Sequence, residues 1–188
     1  MSVDPFLPCS TFPAAEGESY VVRGRQVGAF VEISLSHDRE EKHLFHSDTH
    51  EPIEELAFKR FPGEDVSGYM VYADHLEDAA RYAARGELGY SLNTVVGDAG
   101  VRVSLVSRLL ADDGQLETEI SHEQFLEDPE QAKEKTEELR AIARELTDQW
   151  VSARRARLLE LRTEYEEADA RAEAADARLD RIVDAEQE

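Results

Sequence analysis

The sequence predicts an α+β domain, a mainly antiparallel sheet with two short helices, followed by one long C-terminal helix of coiled-coil character. Three observations lead there. Between residues 18 and 127, β-branched runs alternate with short Gly- and Asp-containing turns. Two short segments in the same region space their apolar residues as a helix does. After Pro129 the chain contains neither Gly nor Pro as far as Glu188, so nothing breaks a helix there.

Residues 1–17 hold Pro5, Pro8 and Pro13 with Phe6, Leu7 and Phe12 between them, a composition for an extended tail that packs on its own domain or stays disordered, with addition to a sheet edge or a partner groove as the alternative. From Tyr20 to Leu35 the sequence reads as strands bent at Gly24 and Gly28. His37 to Glu40 makes a polar turn, and Lys42 to His46 returns as a second hairpin arm. Pro52 suits the first position of a short helix carrying Ile53, Leu56, Ala57 and Phe61, which Pro62-Gly63 stops. A strand is expected over Gly68 to Ala73. A second helix is then capped by Asp74, lined by Leu76, Ala79, Ala80 and Ala83, and closed by Gly86. Strands follow from Tyr90 to Val96 and through Val101, Val103 and Leu105, with Asp112-Asp113-Gly114 turning into Leu116, Thr118 and Ile120. The α+β domain thus spans 18–127. Asp128 as N-cap, Pro129 as first helical residue and Gln131 as capping-box partner open the long helix over 128–188.

From Leu158 the apolar residues step by three and four: Leu158, Leu161, Tyr165, Ala168, Ala172, Ala175, Leu179, Ile182. This is a heptad seam over 158–182 and the expected oligomer or partner interface. Upstream, Leu139, Ile142, Leu146, Trp150 and Ala153 follow another phase, so the first half is expected to pack on the domain, with Trp150 at the junction, and the second half to leave it.

The 188 residues carry a formal charge of −21. That opposes direct binding of nucleic acid, whose affinity rests on Lys and Arg neutralising phosphates, and of anionic membranes. It leaves two readings of the acidity, an adaptation to salt or a nucleic-acid mimic. No run of apolar residues is long enough for a signal peptide or membrane span, and Cys9 is the only cysteine, so the chain reads as cytoplasmic. Basic residues concentrate on the helix: residues 129–188 hold 11 basic and 17 acidic side chains, against 10 and 25 in the preceding 128. Arg154 and Arg155 have no carboxylate three or four residues away and Arg157 has only Glu160, which makes these three a charge-pairing patch for the protein's own acidic domain or a second helix.

His43, His46, Asp48 and His50 form the one constellation with metal-binding chemistry. In an extended chain His46, Asp48 and His50 share a side, and imidazole with carboxylate suits Zn²⁺ or Fe²⁺, yet the spacing matches no defined zinc signature. No Ser stands in a nucleophile elbow, and Gly24 to Gly28 lacks the ending of a phosphate-binding loop. The expected function is therefore a non-enzymatic interaction or scaffold protein that self-associates, or meets a protein partner, through its C-terminal helix, without a cofactor. The alternatives are a small metal-dependent enzyme or ligand-binding domain built on His43 to His50, and an acidic nucleic-acid mimic.

Overall fold

The computed structural model describes residues 7–39 and 51–186. The elements run β1 (Cys9–Pro13), a 3-10 turn (Ala15–Gly17), β2 (Glu18–Val27), β3 (Phe30–Arg39), β4 (Glu51–Pro62), α1 (Val66–Ala84), β5 (Gly89–Gly97), β6 (Gly100–Leu110), β7 (Leu116–Leu126) and α2 (Pro129–Glu186). The α+β class with antiparallel sheets and a long C-terminal helix holds, but there are two sheets where one was expected. Strands β1-β2-β3-β4 form the first and β5-β6-β7 the second, and every pairing is antiparallel.

The helix expected to begin at Pro52 is strand β4. Its residues pair with β3 from Phe30↔Pro62 to Arg39↔Glu51, with two bulges on the way. That ladder and the burial of Leu56, Ala57, Phe58 and Phe61 override the helical spacing. Pro52 is tolerated because β4 is an edge strand. The strand expected over Gly68 to Ala73 is the first half of α1, and the cap is Asp65 rather than Asp74: its side chain accepts from the Gly68 amide at 3.0 Å. Tyr69, Tyr72, Ala73, Leu76, Ala79, Ala80 and Ala83 make one continuous buried stripe. The β-forming residues Tyr69 to Tyr72 disguise its start. One helix therefore replaces an expected strand and helix. Gly86 ends it as expected, in the left-handed region at φ +70°, with its amide bonded to Ala83 and that of Glu87 to Tyr82.

The core lies between α1 and the inner face of the first sheet, where Val22, Val31, Ile33 and Leu35 meet Leu76, Ala79 and Ala80, all fully buried. The Pro-rich N-terminal segment docks as β1 on the edge of β2, and Leu7 and Phe12 pack against this core. Asp128 opens α2, accepting the Glu130 amide on its side chain at 3.0 Å.

Replacing the fully buried Leu76 with Ala should lower the unfolding free energy by about 2–5 kcal/mol. Val71→Ala, on the exposed side of the same helix, should change it by less than about 0.5 kcal/mol. Urea denaturation followed by circular dichroism measures both.

Candidate functional site

Helix α2 is one rod with three environments. Ala132, Leu139 and Ala143 are buried where its proximal stretch runs along β5 and β6. Further on it meets Trp150, half-buried against the main core, and then crosses to β4. Contact with the body continues past the expected departure point near Leu158: Leu158 is buried, while Leu161, Tyr165 and Asp169 are half-buried. The seam phase that begins at Leu158 is thus used first by the protein's own β4. The Phe58 ring meets Tyr165 edge-on at 5.7 Å, and the Arg162 guanidinium stacks on Phe58 at 4.2 Å.

Arg154 stands where the two sheets and α2 converge. Its Nε donates to the carbonyl of Leu56 on β4, and its Nη1 donates to that of Leu110, the last residue of β6, at 2.6 Å. The planar guanidinium forks across the gap between sheets that share no ladder bond. Burial pushes its pKa below the ordinary arginine value, while the nearby Asp112 carboxylate acts the other way. Both acceptors being neutral, the cation rests on backbone dipoles and on the Asp112 carboxylate nearby.

The rest of the patch is divided between the domain and the helix. Arg155 donates to Glu54 at 2.5 Å, whereas Arg157 reaches Glu160 and Glu164 along its own helix at 3.4 and 3.6 Å. Arg162 holds Glu55, with its Nε at 3.0 Å. The last body contact is made by Arg60 on β4, whose Nη1 lies 2.8 Å from Asp169 Oδ2 while its Nη2 lies 2.8 Å from Glu32 on β3.

These pairs wall a cleft of about 620 Å³ between the outer face of the first sheet and α2. Its carboxylates are matched by guanidinium groups: Glu32 by Arg25 and Arg60, Glu54 by Arg155, Glu55 by Arg162, and Asp38 by Arg23 at 3.9 Å. Partial burial opposes the charge on Glu32, but the hydrogen bonds from Arg25 and Arg60 outweigh it and hold this carboxyl below its ordinary value of 4.5. Among the described residues the cleft is walled by ion pairs, and the one buried carboxylate oxygen without a hydrogen-bond partner is Oδ1 of Asp38, a carboxylate that Arg23 approaches only at 3.9 Å.

Among the described residues, Asp169 makes the last ion pair between the helix and the body. Residues 170–179 are all exposed, so of the remaining seam Ala168, Ala172, Ala175 and Leu179 face solvent, Leu179 at 59%. The side chain of Ile182 lies outside the described residues, as do His43, His46, Asp48 and His50. Among the described residues no group of three or more His, Cys, Asp or Glu side chains comes together as a metal site. No described helix is long and apolar enough to cross a membrane.

Arg154→Met should remove both forked bonds and leave two carbonyls without a donor, lowering stability by about 2–5 kcal/mol, whereas Arg155→Ala at its exposed pair should cost less than about 1 kcal/mol. Because the Glu32 carboxyl is held low when folded, its contribution is complete above about pH 4.5 and disappears as pH falls through the lower folded value. Thermal melts from pH 6 to 3 should therefore show a smaller acid loss in Glu32→Gln than in the parent.

No family model, no curated protein and no solved structure matches this chain.

Proposed function

We propose that this is a non-enzymatic interaction protein that self-associates through the distal end of α2. The observation that carries the reading is the continuation of the helix from Ala170 to Glu186, about 25 Å at ~1.5 Å per residue, after its last contact with the body at Asp169. A helix without tertiary contacts draws little stability from its own sequence, and most helical stability comes from packing an apolar face. Ala172, Ala175 and Leu179 keep the heptad spacing on this free stretch. The small alanines allow close approach of a second helix, and Leu179 supplies an apolar anchor at about 1.5–3 kcal/mol when buried.

The charges beside the seam favour a second copy in parallel orientation. With Ala168, Ala175 and Ile182 at d and Ala172 and Leu179 at a, Arg171 and Arg178 fall at g while Asp169 and Asp176 fall at e. In a parallel pair, g of one heptad faces e of the next on the partner, which sets Arg171 against Asp176. An antiparallel pair would set like against like. The chain is thus an acidic body carrying a short zipper. With only a few large seam residues, its association is weak and depends on concentration.

Sedimentation velocity over a wide concentration range tests this. The parent should move from monomer to dimer, and a chain ending at Asp169 should stay monomeric with unchanged thermal unfolding. Asp176→Arg should weaken the dimer and Arg171→Asp in the same chain should restore it. A parent that remains monomeric at every concentration overturns the reading.

A further inference from the structure

We propose that the groove between the edge of β5 and the proximal half of α2 binds an extended acidic segment of a partner protein, which joins the second sheet as a fourth strand. In the order β5-β6-β7 the outer side of β5 has no strand neighbour among the described residues. The β5–β6 register runs from Gly89↔Arg108 to Gly97↔Gly100 without a bulge. Backbone groups therefore alternate strictly between facing β6 and facing outward. Tyr90 marks the outward set, because its amide donates to Thr147 Oγ1 at 2.9 Å and the same hydroxyl donates back to its carbonyl at 3.4 Å. By the same alternation Leu92 and Thr94 turn their N–H and C=O outward. The Thr147 hydroxyl mimics, at one position, what an added strand supplies along the edge.

The space beside that edge is real: a groove of about 690 Å³ runs between β5 and α2, with Leu88, Leu92 and Ala143 offering apolar surface and Arg140 and Arg144 projecting from the helix. The two free edges of this sheet differ in charge. Strand β7 carries Glu117, Glu119 and Glu123, the acidic blunting by which edges avoid further pairing, whereas β5 contains no charged residue from Gly89 to Gly97. Val95 and Val96 are 53% and 77% exposed on it.

The charge on the groove wall selects the occupant. Arg144 makes no ion pair among the described residues, Arg140 pairs only with exposed Glu137, and Asp148 is the single carboxylate among the described lining residues. A cationic wall in a chain of net charge −21 is matched by a strand whose side chains toward α2 are Glu or Asp. Repulsion from the acidic remainder is screened beyond about 8 Å at physiological salt. A second β5 edge has no carboxylate to offer these arginines, which favours a different protein over a second copy.

The test uses the full chain and three capped fluorescent peptides alternating valine with glutamate, lysine or serine, followed by anisotropy. The glutamate peptide should bind at least about tenfold more tightly than the lysine peptide, and Arg140→Glu with Arg144→Glu should reverse that order. Thr94→Pro removes an outward N–H without touching the β6 ladder, so it should keep the fold and weaken the glutamate peptide by about tenfold or more. Bound glutamate peptide should slow hydrogen exchange at the Leu92 and Thr94 amides, a readout that stands even if Thr94→Pro unfolds the chain. No binding, equal binding of the three peptides, or binding that leaves those amides unprotected overturns the proposal. So does a self-association that Thr94→Pro abolishes and Asp176→Arg does not, which would assign the edge to a second copy.

Discussion

The arrangement of this protein depends on one guanidinium bridging two sheets that do not hydrogen-bond to each other. Arg154 ties the carbonyl of Leu56 in one sheet to that of Leu110 in the other, and being rooted in α2 it fixes the helix to both. A hydrophobic contact at this junction would bury two carbonyls with no donor. A lysine would bring a point charge with no fork. The path of α2 beyond the junction follows from it: once Arg154 is seated, Leu158, Leu161, Arg162 and Tyr165 fall in turn onto the edge of β4.

The distribution of charge acquires a structural meaning from the same geometry. Arginines of α2 find partners on the acidic strands, Arg155 on Glu54 and Arg162 on Glu55, while Arg60 answers from the sheet by holding Asp169. Exposed pairs of this kind contribute little stability individually. Collectively they set the angle at which the helix crosses β4, and they cover the edge of that strand against unwanted pairing. Among the edges described, β7 is guarded by glutamates, β4 by the helix and the five-residue β1 by its shortness and Pro13, so the longer uncharged β5 stands apart.

Much of this was readable from the sequence, and the failures have local causes. The bend at Gly28, the hairpin turn at Gly114, the end of α1 at Gly86 and the opening of α2 at Asp128 rest on residues whose backbone or capping chemistry is nearly unique to such positions. By contrast, Gly24, read as part of the same bend, lies inside β2, and the polar turn expected from His37 is the end of β3. Strand β4 was misread because Leu56, Ala57 and Phe61 satisfy a helical repeat, and only a ladder to β3 decides otherwise. Helix α1 was cut in two because Tyr69 to Tyr72 have strand preferences that burial against the sheet overrides. For α2 the change of phase at Leu158 was visible. Its cause was not, since the same apolar spacing serves a crossing of β4 as well as a coiled coil. The outward direction of the Leu92 and Thr94 amides had no sequence signal at all, because it depends on which strand lacks a neighbour.

The clamp between Arg60 and Asp169 makes the distal part of α2 a pointer of fixed azimuth. An unbroken helix turns by about 100° and advances by ~1.5 Å with each residue. One residue inserted just after Asp169 would swing Ala172 and Leu179 well away from their present bearing while leaving every contact of the body intact. Seven inserted residues would return them nearly to it, farther out. For a second helix docked on this stretch as proposed, length changes of whole heptads would keep its bearing relative to the body, and other changes would turn it.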